Sequence, residues 1–476
     1  MNVTSCLSAR ERITTLVDSN SFVEIGAMIT KRSSDFNLLE NEIPGDGVIT
    51  GYGLINSNPV YIYCQDGTAM GGTIGEMHAK KIAHIYDIAL KVGAPVIGII
   101  DSAGFRLQEA TDALHGFGEI YQKKVFASGV IPQISIILGT CGGGLAVLTA
   151  LSDFTFMAQD KGNLFVNSPN ALHHNDTSKL NTTTANYNSE NGKIDFIIED
   201  EITVFEKVRE LITIIPASND DKSSLEDTED DLNRLIPSFS DNVNDIAKAM
   251  KEISDYNYFF EVKESYEKEM VTGFIRLNGM TIGAIGNRLE VKDLEGNITK
   301  FEDTLTTKGC LKAAKFVQFC DAFNIPILTF TNVSGYRATT NEELTLPKAV
   351  ATLTYGFTNA TVPKVNVIVG NAFGSAYIAM NSKHIGADMV FALEGTSIGM
   401  MDSKSATKIM YGKEPISIDE KEKEYDTLNN SAISAAKKGY VDAIIEGAST
   451  RKHLIYAFDM LYTKRESGPS KKHGTI

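Results

Sequence analysis

Two short glycine-rich segments carry the clearest chemical signal in the chain. Gly139-Thr-Cys-Gly-Gly-Gly144 and Gly370-Asn-Ala-Phe-Gly-Ser375 each follow an apolar run of strand length and precede a helix-like apolar run. A glycine turn that opens a helix presents backbone N–H groups without intrahelical partners. Such groups can hold a phosphate, a carboxylate or the oxygen of an enolate. Taken singly, either segment is equally well a tight turn in which glycine permits close packing. A second pair, Ser102-Ala-Gly-Phe-Arg106 and Val333-Ser-Gly-Tyr-Arg337, shares the pattern Gly-aromatic-Arg. An arginine there can hold phosphate or carboxylate, and surface pairing with Glu109 or Glu342 accounts for each arginine as well.

A constant offset joins these segments. Pro95 and Pro326, Gly104 and Gly335, Arg106 and Arg337, Pro132 and Pro363, Gly139 and Gly370, and Gly143 and Gly374 are all separated by one and the same interval. With glycine at 39 of 476 positions, this many matches at one offset identify an internal repeat. Duplication at matched register favours a functional reading of the loops over a packing one.

The elements that must position the loops repeat too. Residues 79–92 and 310–323 space their apolar side chains by three and four, as helices do. Residues 94–100 and 325–331, then 131–138 and 362–369, are short β-branched runs that read as buried strands. Each half is therefore a β-α-β series, which implies an α/β fold with a largely parallel sheet covered by helices. The Gly-aromatic-Arg loops then follow the carboxyl ends of parallel strands, where ligands usually sit. The acidic stretch 218–233, with Asp220, Asp221, Glu226, Asp227, Glu229, Asp230 and Asp231 before Pro237, reads as a solvated connector. It divides the chain into domains at 1–225 and 226–476.

Composition excludes several classes. The chain is long enough to bury a large core, with 43% hydrophobic and 22% charged residues. A net charge of −15 argues against a general nucleic-acid or membrane-surface binder but leaves room for a local anion site. The apolar runs are far short of a bilayer span and the first ten residues lack a signal-peptide pattern, so the expected location is cytoplasmic. Five scattered cysteines, Cys6, Cys64, Cys141, Cys310 and Cys320, form no C-x-x-C pair and read as reduced, packed thiols. The eight histidines include His173-His174 in a polar loop but no H-E-x-x-H spacing, so no metal is expected. The lack of an obvious acid–base pair fits an enolate stabilised electrostatically, with proton transfer left to a cofactor.

Longer segments carry a family resemblance. Gly45-Asp-Gly-Val-Ile-Thr-Gly51, Gly93-Ala-Pro-Val-Ile-Gly98, Asp101-Ser-Ala-Gly-Phe-Arg-Leu-Gln-Glu109, Ser128-Gly-Val-Ile-Pro-Gln-Ile-Ser135 and Asp153-Phe-Thr-Phe-Met157 lie in the first half. Lys315-Phe-Val-Gln-Phe-Cys-Asp-Ala-Phe-Asn-Ile-Pro326, Ala360-Thr-Val-Pro-Lys364, Thr463-Lys-Arg-Glu466 and Lys471-Lys-His-Gly474 lie in the second. Over nearly its whole length the chain resembles the biotin-dependent acyl-CoA carboxyltransferases, among them propionyl-CoA and acetyl-CoA carboxylase β-type subunits and methylmalonyl-CoA decarboxylase large subunits. The resemblance implies two tandem crotonase-like (ClpP/crotonase) domains. It also implies an active site where the N-terminal domain of one subunit faces the C-terminal domain of another, and commonly a hexamer built as a trimer of dimers.

It further implies roles for residues. Gly143 and Gly144 would hold the thioester oxygen as it becomes an enolate, on the acyl-CoA side. Ser375 and Ala376, with Gly374, would hold the ureido oxygen of biotin. Ala103, Gly104, Phe105, Arg106 and Lys81 would line the acyl-CoA side, although a lysine on a helix is ordinarily a solvated one, and Ile378 would shape the acyl pocket. The family usually reads Gly-Gly-Ala-Tyr-Asp where this chain has Gly374-Ser-Ala-Tyr-Ile378. Ala103 and Phe105 replace small family residues, and 167–191 departs strongly from the family's segment. The biotin-attachment motif Ala-Met-Lys-Met is absent, and Ala249-Met-Lys-Glu252 is a coincidental near miss. Biotin must therefore arrive on a separate biotin carboxyl carrier protein, with a biotin carboxylase or a membrane decarboxylase subunit as further partner. The expected activity is CO2 transfer from carboxybiotin to acetyl-CoA or propionyl-CoA. The reverse reaction of a decarboxylase or transcarboxylase, and a non-catalytic acyl-CoA-binding scaffold, are the alternatives.

Overall fold

The computed structural model describes residues 7–32, 43, 45–173, 180–221, 227–293, 295–412 and 418–476. Cys6, His174, Glu226 and part of the 167–191 segment lie outside the described residues. The chain divides into two compact units, Met1–Ser223 and Ser224–Ile476.

The elements of the first unit that matter to function are β1 (Val23–Glu24), β2 (Val48–Ile55), β3 (Asn58–Gln65), α1 (Glu76–Val92), β4 (Val96–Ser102), α2 (Ala110–Ala127), β5 (Gln133–Gly142), α3 (Gly144–Ala150), β6 (Phe154–Ala158), β7 (Asn163–Phe165) and β8 (Phe196–Ile198). The sheet runs β1-β2-β3-β4-β5-β6-β8, with β7 pairing a second time along β5. In the second unit the corresponding elements are β9 (Phe260–Glu261), β10 (Met270–Leu277), β11 (Met280–Asn287), α4 (Thr307–Ala322), β12 (Ile327–Val333), α5 (Leu346–Asn359), β13 (Lys364–Phe373), α6 (Gly374–Ala379), β14 (Met389–Leu393), β15 (Ser397–Gly399) and β16 (Ala443–Ile445). Its sheet runs β9-β10-β11-β12-β13-β14-β16, with β15 on β13. The two eight-stranded sheets share one topology, strand for strand, and the second unit adds two small two-stranded sheets.

Register agrees as closely as order. Val96 faces Gln133 across β4 and β5, and Ile327 faces Lys364 across β12 and β13, again at the repeat spacing. Both pairs slip register between the same positions, Ile100/Ser102 and Thr331/Val333, just before the Gly-aromatic-Arg loops. An irregularity of this kind at a strand end re-aims the residues that follow it.

The sheets are mixed, not purely parallel. From β3 to β8 and from β11 to β16 the pairs are parallel, but β1–β2–β3 and β9–β10–β11 are antiparallel. The hairpins close through Asn56-Ser57, with φ of 47° and 69°, and Asn278-Gly279, with φ of 53° and 73°. Two consecutive left-handed residues make the turn whose twist matches antiparallel strands.

The buried strands form because their β-branched side chains fill both faces: every residue of β12 is buried. The first core gathers Tyr63, Ile82, Tyr86, Val96, Ile100, Phe117 and Ile137 between sheet and helices. The second includes Phe239, Met250, Ile282, Leu328, Phe330, Val367 and Phe458. Cys64, Cys141, Cys310 and Cys320 are free and buried, as packed thiols should be. The end of the acidic stretch is not simply solvated, since Asp230 accepts from Arg234 Nη2 at 3.0 Å and lies 3.4 Å from the wholly buried Arg451.

One core residue is unusual. Lys124 on α2 is enclosed and donates to two hydroxyls, Ser152 Oγ at 2.9 Å and Tyr86 at 3.2 Å. Burial pushes its ammonium down to about 7, against the pull of Asp153. The unfolded lysine titrates at about 10.4, so between about pH 7 and about pH 10 the unfolded chain binds more protons and stability rises with pH. Replacing Lys124 with Met should flatten the rise of the urea-unfolding midpoint across that window, with the gain over wild type largest at the acidic end.

Candidate active site

In the first unit the ends of β4 and β5 deliver two loops side by side. Gly104, at φ 108°, follows β4 and packs against the loop after β5: a Cβ added to it would lie 3.9 Å from the Gly142 carbonyl. Its N–H donates to Ser102 Oγ at 3.2 Å, and that of Ala103 to Gly71 O at 2.9 Å. Gly143 adopts φ 61° and ψ −125°, a conformation open only to glycine, and a Cβ there would meet nothing within 4 Å. The turn therefore borders open space.

The two expected oxyanion donors are not equivalent. The Gly143 N–H is already engaged by Phe165 O of β7 at 2.9 Å. Gly144 takes the first position of α3, where an N–H has no acceptor inside its own helix. In this structure the Gly143 N–H is thus satisfied by backbone, whereas the Gly144 N–H has no acceptor within its own helix.

An aromatic wall stands beside Gly144. Phe105 and Phe117 pack with centroids 4.1 Å apart, and Tyr121 meets Phe117 edge-on at 6.1 Å. The Tyr121 hydroxyl donates to the Gly144 carbonyl at 2.8 Å. A Cβ on Gly144 would lie 3.1 Å from that hydroxyl and 3.5 Å from the Phe105 ring, so glycine lets the wall close on the turn. Phe117 and Tyr121 escape the sequence reading because they sit on α2, away from both loops in the chain.

Arg106 and Lys81, expected on the CoA side, are both enclosed. Arg106 is 0% exposed; its Nη1 pairs with Asp46 at 2.5 Å and Glu109 at 2.8 Å, and its Nη2 donates to Thr73 O at 2.8 Å. The Glu109 pairing considered from sequence exists, but in the interior. Asp46 also accepts the His78 N–H at 2.8 Å, and His78 Nδ1 lies 3.0 Å from Asp46 O. Burial, helped by Arg106, pushes His78 down to about 3, while burial pushes the Asp46 carboxyl up despite Arg106. Arg106 thus ties its loop to the Gly45–Gly47 turn and, through Glu109 and the Glu76 N–H, to the start of α1. Lys81 donates to Gly45 O at 2.9 Å and to Val48 O. Its counterpart in the repeat, Lys312, donates to Tyr266 O at 2.7 Å and Lys263 O at 3.0 Å. These lysines hold backbone, and neither ammonium is presented to solvent.

The second unit repeats the turn with other side chains. Gly374 has φ 61°, the value found at Gly143, and a Cβ there would come 3.2 Å from Met400 O. Ser375 is exposed, Ala376 is buried and Ile378 is 38% exposed. Tyr336, from the Gly-aromatic-Arg loop, donates its hydroxyl to Ser375 Oγ at 2.9 Å. Asp303 joins the two loops, accepting from Ser334 Oγ at 2.8 Å and Asn371 Nδ2 at 3.0 Å. Arg337 lies 3.8 Å from Glu302, whereas Glu342 instead accepts the Thr307 N–H at 2.7 Å at the start of α4. Among the described residues there is no cluster of His, Cys, Asp and Glu that could hold a metal ion.

The carboxyl transferase domain family matches residues 5–476. The chain belongs to that family. It is 37% identical over 491 residues to the propionyl-CoA carboxylase beta chain of Roseobacter denitrificans, covering 99% of this chain and 93% of that one. It is 37% identical over 495 residues to the methylmalonyl-CoA decarboxylase subunit alpha of Propionigenium modestum, with the same coverage. Among solved structures, transcarboxylase 12S, described as a hexamer assembly with methylmalonyl-coenzyme A and methylmalonic acid bound, superposes with a TM-score of 0.90 at 33% identity. That match covers 98% of this chain and 92% of the other.

The resemblance read from the quoted segments is therefore borne out. So are the tandem crotonase-like α/β architecture and the activity of the carboxyltransferase. No helix among the described residues is long and apolar enough to cross a membrane. In this carboxyltransferase the buried Arg106 predicts a stability defect: Arg106→Gln leaves Asp46 and Glu109 enclosed without their cation and should cost about 3 kcal/mol or more in urea unfolding. Arg337→Gln, at the matching but more exposed position, should change stability by less than about 0.5 kcal/mol.

Proposed function

We propose that the chain is the carboxyltransferase subunit that passes CO2 from biotin on a separate carrier protein to a short-chain acyl-CoA, acetyl-CoA or propionyl-CoA. The observation that carries this is the duplicated turn: Gly143 and Gly374 share φ 61° at the ends of equivalent strands, in a chain matched by the family over residues 5–476. The first domain, 1–225, takes the acyl-CoA, and the second, 226–476, takes the biotin.

The residues fit those two ligands. At the acyl-CoA side Gly143 opens space, Gly144 supplies a backbone donor to the thioester oxygen, and Ala103, Gly104 and Phe105 border the acyl group. On the biotin side Gly374 makes the same turn possible, and Ser375 and Ala376 offer their N–H groups to the ureido oxygen. Carboxylated biotin, when bound, supplies the CO2. The chain's own contribution is to hold charge as it develops on the thioester oxygen, where preorganised N–H groups are worth more than water. In the first loop Arg106 is enclosed in ion pairs and is not free for proton transfer. A relative named as the beta chain of a carboxylase and one named as subunit alpha of a decarboxylase support a multi-subunit enzyme. Its partners on this reading are a biotin carrier and either a biotin carboxylase or a membrane decarboxylase subunit, and the transcarboxylase assembly supports a hexamer.

Purified chain, carboxylated biotin carrier and propionyl-CoA or acetyl-CoA should give the carboxylated thioester. Gly144→Pro keeps the helix start, because proline is tolerated at a first helical position, but removes the donor and should lower turnover about 100-fold. Gly144→Ala, which keeps the N–H and adds the Cβ, is the steric control and should lose less. Absence of CO2 transfer with every short acyl-CoA would overturn the assignment.

A further inference from the structure

Two positions at which the units differ meet in the second unit through a bond that the first cannot make. Phe105 and Gly144 correspond to Tyr336 and Ser375, both pairs standing at the repeat spacing. In the first unit the contact is apolar, ring edge to glycine. In the second, the Tyr336 hydroxyl donates to Ser375 Oγ at 2.9 Å, and both residues are exposed, Tyr336 by 37%.

The direction of that bond matters. A hydroxyl has one hydrogen and two lone pairs, so Ser375, having accepted from Tyr336, keeps its own hydrogen for another acceptor. Donation from the more acidic phenol polarises the serine O–H and strengthens the next bond in the chain. Tyr336 is itself fixed: it bridges to Leu305, and the neighbouring Ser334 is bound to Asp303, which also holds Asn371 on the strand leading to Ser375. The two loops of the second unit are thus tied at both ends of their contact.

We infer that Ser375 is a catalytic residue through its side chain, its hydroxyl adding a donor to the ureido oxygen held by this loop, and that Tyr336 is the positioning residue that directs it. The inference rests on the second unit being the biotin side, as proposed above. A glycine at 375 would offer the N–H alone, so the hydroxyl is an addition specific to this loop.

The test compares Ser375→Ala, Tyr336→Phe and the double variant in CO2 transfer from carboxylated carrier to propionyl-CoA. Ser375→Ala keeps the N–H and should lower kcat at least about tenfold with KM for the acyl-CoA unchanged. Tyr336→Phe should lower kcat about threefold, and the double variant should match Ser375→Ala, because Tyr336 acts only through Ser375. Thermal midpoints should stay near wild type, whereas a merely structural bond would lower them and leave kcat intact. A wild-type chain that transfers CO2 while Ser375→Ala does so equally well overturns this inference alone, as do single-variant losses that multiply in the double. A wild-type chain that transfers none overturns the functional reading and this inference together.

Discussion

A strand that must turn at once into a helix here needs a residue in the left-handed region. Gly143 and Gly374 meet that need at φ 61°, where any side chain would be strained. The short strands β7 and β15 then pair beyond the main sheet, Gly142 with Phe165 and Phe373 with Gly399, and pin the turn from one side. Close packing enforces the arrangement: a Cβ on Gly142 would fall 2.8 Å from the Phe165 ring. Everything the loops do follows from this backbone, which the two units share.

The side chains around the shared backbone have diverged in kind. The first unit braces its Gly-aromatic-Arg loop with a buried cation between Asp46 and Glu109, and covers the turn with aromatic rings. The second uses a polar network of Asp303, Ser334, Asn371 and Asn332, with hydroxyls where the first unit has hydrocarbon. An apolar wall suits an acyl chain, and hydrogen-bonding side chains suit a polar ring system. The same backbone thus carries chemically distinct surroundings in the two units.

Much of this is legible in the sequence, because proline and glycine at one repeated spacing mark strand starts and turns whatever the surrounding side chains do. The offset locates β4, β5, β12 and β13 and the loops after them. The antiparallel hairpins escape that reading even though Asn278-Gly279 is a strong turn signal, because they lie upstream of the repeated landmarks. The fates of Arg106 and Lys81 are not legible, for burial depends on partners distant in the chain: Asp46 for the arginine, the carbonyls of Gly45 and Val48 for the lysine. The engagement of the Gly143 N–H by Phe165 likewise needs a strand pairing that no local pattern announces.

The duplicated lysines have a consequence for a protein that handles thioesters. Burial pushes Lys81 down to about 8 and Lys312 to about 7, values at which an appreciable share of the amine is uncharged and nucleophilic. An uncharged amine in contact with an activated acyl group is open to spontaneous acylation. Both side chains are instead folded inward, 2% and 4% exposed, against backbone carbonyls. Lys124, likewise lowered to about 7, is 1% exposed, so the burial that lowers the basicity of these amines also keeps each of them out of reach of an acyl donor in solution.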